Sequence, residues 1–231
     1  MKINPQTNEN LLFVNTFEEL VSTPFEGKIN ALSWKREIEG DYEAIVNAFE
    51  FQKNIIEINP ADLKNIKLSE AGIIAINTIL NDYELLQNQG ASPVLNIIKY
   101  YEEDTSFPFF PTDVYSYHVD RSPIATDTFL CTYYGNPSEL ISNEQADQKI
   151  TIPEIREQLF SLFEGESTEF ESFLSDHFFD LHYKSKPNNL PIQAETGHIW
   201  RLAVDHPSSK VLPCVHRAPR ENGKKRLLLI C

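Results

Sequence analysis

Apolar positions along the first third of the chain recur at helical spacing. From Tyr42 to Phe51 the segment YEAIVNAFEF places Tyr42, Ile45, Val46 and Phe49 on one face, which predicts an amphipathic helix. Ser69 stands where a hydroxyl caps a second, longer helix whose stripe is Ile73, Ile76, Leu80 and Tyr83, and Gly90 supplies its stop. These stripes read as core packing. From Val94 the period changes: VLNIIKYY is an apolar, β-branched and aromatic run suited to a strand, and the turn-prone SFPFFPTD leads into VYSYHVD. Thr128 to Gly135, TFLCTYYG, predicts another strand, ended by a Gly-Asn-Pro turn. Thr151-Ile-Pro-Glu154 has the form of a capping box with proline in the first turn, and opens a helical section running to about Leu181. Strands then return as HIWRLAVD, KVLPCVH and RLLLIC, the last preceded by the Glu-Asn-Gly turn of 221–223.

Strands at this spacing without helices between them favour antiparallel β over a doubly wound parallel sheet. The expected class is therefore α+β. Residues 1–92 form a mainly helical part that buttresses a jelly-roll core at 93–231, with a helical insertion at about 151–182, all in a single domain of 231 residues.

Composition narrows the function classes. Hydrophobic residues at 41% and charged residues at 23% fit a folded globular chain rather than a disordered one. No stretch approaches the roughly 18 uninterrupted apolar residues of a membrane span, and the opening MKINPQTNENLLFV lacks the plan of a secretory signal, so a cytoplasmic location without a membrane partner is expected. Cys131, Cys214 and Cys231 are odd in number and widely spaced, which fits neither a disulfide framework nor a thiolate zinc site. With 34 acidic against 20 basic side chains the net charge is −14, which disfavours nucleic acid as a partner. Lys210 to Arg226 runs against that sign, with Lys210, Arg217, Arg220, Lys224, Lys225 and Arg226 opposed only by Glu221. Glu102, Glu103 and Asp104 form an acidic loop that can attract a cationic substrate or simply face water.

The chemistry is expected at His118-Val119-Asp120, where two metal-competent side chains at i and i+2 project from one face of a strand. His216, at the end of an apolar run, completes a set of two imidazoles and one carboxylate, which leaves positions open on a bound ion. His198, just after Gly197, is an alternative second imidazole. His177 and His182 stand five apart in the expected helical insertion and do not form a helical metal pair, and His206-Pro207 reads as a turn.

Ten residues beyond His216 comes Arg226 at the start of the last strand. With His118, Asp120, His216 and Arg226 in this order, the chain from Val94 to Cys231 resembles the 2-oxoglutarate and iron(II)-dependent oxygenases, whose fold is a double-stranded β-helix of the jelly-roll, cupin-like type. YHVD, TFLCTYYG, VHRAP and RLLLIC are also similar to an uncharacterised bacterial family placed near these oxygenases. The resemblance implies iron(II) on His118, Asp120 and His216, and 2-oxoglutarate held through its far carboxylate by Arg226, with oxidative decarboxylation to succinate coupled to hydroxylation of a small or amino-acid-like molecule. Retention of Asp120 favours hydroxylation over halogenation. The interval of 96 residues between Asp120 and His216 is long, and the helical insertion accounts for it. Lys225, Arg217 and Arg220 are competing anion anchors, with Arg226 preferred for its spacing and its bidentate fork. Thr132 and Tyr134 are candidate co-substrate contacts, and Arg121, Tyr117 and Trp200 candidate substrate contacts. A small-molecule substrate is the expected partner, and a homodimer is compatible with the sequence. A cupin-like metal protein that uses the same ligands without 2-oxoglutarate is the rival reading.

Overall fold

A computed structural model describes residues 9–50 and 52–231. Met1–Asn8, and Phe51 at the end of the first expected helix, lie outside the described residues. The described chain opens with strand β1 (Leu11–Val14), helix α1 (Phe17–Ser22), β2 (Ala31–Trp34), α2 (Tyr42–Asn47), β3 (Ile55–Ile58), α3 (Pro60–Leu63) and α4 (Glu70–Asn88). It continues with β4 (Val94–Ile98), β5 (Tyr117–His118), β6 (Asp127–Tyr134), β7 (Glu139–Ile141) and β8 (Ala146–Gln148). The insertion follows as α5 (Pro153–Leu162) and α6 (Phe170–Asp176), and then come β9 (His182–Ser185), β10 (Ile192–Gln193), β11 (Ile199–Ala203), β12 (Val215–Arg217) and β13 (Arg226–Ile230).

These strands make two sheets in a mixed α+β architecture compatible with a β-sandwich or jelly roll. One has seven strands in the order β1-β2-β11-β6-β13-β4-β3, the other six in the order β10-β7-β12-β5-β9-β8. Every pair is antiparallel except β1 with β2. Alternation along the strands divides the apolar side chains among distinct layers. Leu130, Trp200, Leu202 and Leu228 of the larger sheet meet Leu140 and Cys214 in the space between the sheets. Cys131, Tyr133, Ile199, Leu227 and Leu229 point the other way and pack with Ile45, Val46, Ile76 and Ile79 of α2 and α4. Tyr117, Ile141, Leu181 and Val215 cover the outer face of the smaller sheet.

Helix α4 is capped as expected, with Ser69 Oγ accepting from Gly72 N at 3.3 Å. It stops at Gly90, whose φ of +82° a side-chain-bearing residue adopts only at a cost. Its buried face is rotated from the expected stripe: Ala75, Ile76, Ile79, Asp82 and Leu86 are buried while Ile73 is 49% exposed. Buried Asp82 accounts for the rotation, because it pairs with Arg36 and accepts from Tyr133 Oη at 2.6 Å, tethering the helix to β6.

Three further differences are physical. β1, β2 and β3 are strands in a region expected to be mainly helical, since four-residue apolar runs such as LLFV and ALSW carry too few turns of either period to decide. The capping box at Thr151 does not form. Residues Lys149–Thr151 make a 3-10 turn that runs straight into α5, and Thr151 Oγ1 donates to the Gln148 carbonyl instead. Of KVLPCVH only Val215 and His216 are strand, as the start of β12, because the Leu212 and Pro213 carbonyls accept from the Asn30 side chain rather than from a neighbouring strand. Among the described residues no helix is long and apolar enough to cross a membrane.

Candidate metal centre

β5 and β12 are neighbours, and their register sets His118 directly opposite His216. The rings stand 4.6 Å apart, centroid to centroid, at 54°. Each ring is fixed from behind by the carbonyl two residues earlier: His118 Nδ1 lies 2.8 Å from Ser116 O, and His216 Nδ1 3.1 Å from Cys214 O. A carbonyl oxygen only accepts, so Nδ1 carries the proton in both rings and each Nε2 presents its lone pair. Asp120, just past β5, accepts from Thr128 Oγ1 at 2.5 Å, and its Oδ2 lies 3.7 Å from His216 Nε2. The three donor atoms lie within 4.8 Å of one another, so His118, Asp120 and His216 form a group that could hold a metal ion.

Electrostatics keeps these groups in their ligand forms. Burial, and then the charge of His216, push His118 down to about 4, so it is a neutral imidazole at neutral pH. Burial alone would raise Asp120, but His216, the Thr128 hydrogen bond and His118 outweigh it and hold the carboxyl below its ordinary value. Anchored imidazoles and a hydrogen-bonded carboxylate are the outer supports that metal ligands generally need.

Arg226 lies on the inner side of β13 and is 1% exposed. Its Nη2 donates to Ser138 Oγ at 2.8 Å and to Thr132 Oγ1 at 3.0 Å, with Nε 3.3 Å from the same Thr132 oxygen. Burial pushes the guanidinium below its usual value, while Tyr101 and the charge of Glu221 pull the other way. Among the described residues no carboxylate forms an ion pair with it, whereas the competing anchors are engaged: Arg217 donates to Glu139 Oε2 at 2.6 and 2.8 Å, and Arg220 pairs with Glu103. Ser138 immediately precedes β7, whose Leu140 is the register partner of His216, so the guanidinium contacts the strand beside β12 two residues from the level of His216.

Several expected site residues are placed elsewhere. Thr132 does meet Arg226, but Tyr134 does not. A bulge beside Leu227 shifts the β6–β13 register, and Tyr134 turns to the helix-covered side, where its hydroxyl hydrogen-bonds Glu43 at 2.6 Å. Tyr117 precedes His118 on the same strand and so faces outward, with its hydroxyl 3.2 Å from Glu139 Oε2 and Arg217 stacked on its ring at 4.4 Å. Arg121 is spent on a surface bridge, with Asp180 at 2.6 Å and Asp205 at 2.7 Å. Trp200 is fully buried between the sheets as a wall, its Nε1 lacking a hydrogen-bond partner among the described residues. His198 is no ligand of this group, because its Nδ1 meets Ser33 Oγ at 3.2 Å and its Nε2 faces Glu195 at 3.4 Å. Asp104 of the acidic loop caps a turn, accepting from Thr112 Oγ1 at 2.5 Å and Ser106 N at 2.9 Å. All three cysteines are free thiols, Cys131 and Cys214 fully packed.

Sequence reasoning missed Ser138, Tyr101 and His182. His182 starts β9 and is the register partner of His118, so His216, His118 and His182 form a row across three strands. It is 5% exposed and its Nδ1 is buried without a partner among the described residues. Burial and then His118 push it down to about 3.

This row makes the metal-free protein acid-sensitive. Above pH 6.5 the imidazoles of His118 and His182 are neutral in both folded and unfolded chains, so neither shift matters. As pH falls from 6.5 toward 4 the unfolded chain takes up protons that the folded chain refuses, and stability drops. Each imidazole contributes a loss on the order of 2 kcal/mol by pH 5. Denaturant titrations at pH 7 and pH 5 are expected to register this loss, and His182→Phe is expected to reduce it.

Comparison with protein-family models, with curated proteins and with solved structures returned no match.

Proposed function

We propose that the protein is an iron(II)- and 2-oxoglutarate-dependent oxygenase that hydroxylates a small molecule. The observation that carries the reading is a three-donor group together with a buried guanidinium that forms no ion pair among the described residues and hydrogen-bonds Ser138, two residues before the register partner of His216. Two imidazoles and a carboxylate that leave coordination positions open suit non-haem iron(II). A buried guanidinium that hydrogen-bonds hydroxyls and has no direct ion pair among the described residues suits a further anion, and the far carboxylate of 2-oxoglutarate would supply one in a matching bidentate geometry.

Strand pairing supports the associated fold. In chain order β4, β6, β11 and β13 belong to one sheet as β4-β13-β6-β11, and β5, β7, β10 and β12 to the other as β5-β12-β7-β10. We read these eight as a double-stranded β-helix, with β1, β2 and β3 extending one sheet and β8 and β9 the other.

In this reading Nε2 of His118, Nε2 of His216 and the Asp120 carboxylate hold the ion, and Thr128 orients Asp120. Thr132 and Ser138 aim Arg226. Iron(II) held by the three donors would supply the oxidising chemistry, with dioxygen and 2-oxoglutarate consumed and succinate, carbon dioxide and a hydroxylated substrate as the products. The protein's part is placement and exclusion of water.

Purified protein given iron(II), ascorbate and 2-oxoglutarate is expected to release succinate slowly even without substrate. Turnover should fall to background in His118→Ala. Equal release from wild type and variant would overturn the proposal.

A further inference from the structure

Beside the metal ligands, on the flank away from Arg226, lies a second group of polar side chains. His182 faces the same side of the sheet as His118, the ring centroids 5.9 Å apart, but unlike the two ligand imidazoles it has no carbonyl behind it and makes no hydrogen bond among the described residues. β8 and β9 pair Gln148 with Tyr183, which brings Lys149 out next to His182. Lys149 Nζ donates to Ser116 Oγ at 2.7 Å and to the Pro111 carbonyl at 3.2 Å, both neutral, and forms no ion pair among the described residues. Both side chains lie against Phe110, with Nζ 4.8 Å and the imidazole centroid 6.1 Å from the ring centre. Asp113 and Asp104 act on this pair only through charge at longer range, and their oxygens are taken by backbone amides and the Thr112 hydroxyl.

We infer that Lys149 and His182 form the substrate end of the site and hold the carboxylate of a small-molecule acid, an inference that rests on the oxygenase reading. An ammonium with a donor to spare and an unpartnered buried imidazole offer two hydrogen-bond donors to the two oxygens of one carboxylate. The apolar surroundings of Phe110 and Phe179 suit a monoanion with a hydrocarbon body better than a phosphate, which keeps more charge to desolvate. Arg226 takes the co-substrate on one flank and this pair takes the substrate on the other, so the two acids do not compete.

The test uses full-length protein loaded with zinc as a diamagnetic stand-in, saturated with 2-oxoglutarate, and titrated with the straight-chain carboxylates from acetate to octanoate and their primary amides. At least one carboxylate is expected to bind about tenfold tighter than its amide and to move the His182 ring nitrogen resonances. Lys149→Met and His182→Phe should each weaken that binding about tenfold and leave 2-oxoglutarate affinity unchanged. If His182→Phe proves unfolded, Lys149→Met alone decides. Carboxylates binding no better than amides would overturn the inference, as would variants that bind like wild type or a Lys149→Met variant that loses 2-oxoglutarate instead. Should 2-oxoglutarate fail to bind the wild type, the oxygenase reading falls separately, and the carboxylate comparison is still read on the zinc-loaded protein.

Discussion

His118→Ala and His216→Ala are each expected to lower iron(II) affinity by at least about a hundredfold, read by calorimetry or by metal retained after desalting. The size follows from the donor count. Three protein atoms would hold the ion, and removing one imidazole would leave a two-point grip that ordinary buffer competes with. The two variants should act alike, because the rings are equivalent in geometry, each anchored through Nδ1 and presenting Nε2. Thr128→Val is the graded control. It removes the hydroxyl donated to Asp120 without touching a ligand, so its loss should be smaller, about tenfold. Wild-type metal retention in both alanine variants would mean that the ions bind elsewhere.

Arg226→Met should weaken 2-oxoglutarate binding by about a hundredfold while leaving metal affinity intact, since losing one partner of a buried charge pair costs roughly 2–5 kcal/mol. The variant also carries a sign that a purely structural arginine would not give. Arg226 is buried, hydrogen-bonds only hydroxyls among the described residues, and is pushed below its usual value by burial, so the metal-free fold bears a desolvation cost on its account. Replacing it with an apolar chain of similar reach should therefore leave stability unchanged or raised, while co-substrate binding collapses. A structural arginine would show the opposite, with stability lost and binding kept. Arg226→Lys should fall between, because an ammonium keeps the charge but not the fork.

The grouping of His118, Asp120 and His216 was legible in the sequence because its information is local: alternation puts residues i and i+2 on one face, and only His216 had to be brought from a distance. That same alternation fixes Tyr117 on the outer face, since it adjoins His118. Tyr134 was not legible, because a bulge exchanges the faces of a strand and leaves no mark in composition. The Arg121 bridge depends on Asp180 and Asp205, acids brought near only by the fold. His182 was obscured by its spacing from His177, which has meaning on a helix, whereas it begins a strand whose register against β5 no local pattern encodes. Spacing already favoured Arg226 over Arg217 and Arg220, but only tertiary contacts reveal that the other two have acids as partners.

The most direct test of the account is an anaerobic titration of the iron(II)-loaded protein with 2-oxoglutarate, followed by visible absorption. Bidentate chelation at the His118, Asp120 and His216 group predicts a charge-transfer band that saturates at one equivalent, is absent in His216→Ala, and needs far more 2-oxoglutarate in Arg226→Met. A protein that binds iron(II) at these residues yet develops no such band at saturating 2-oxoglutarate would contradict the account.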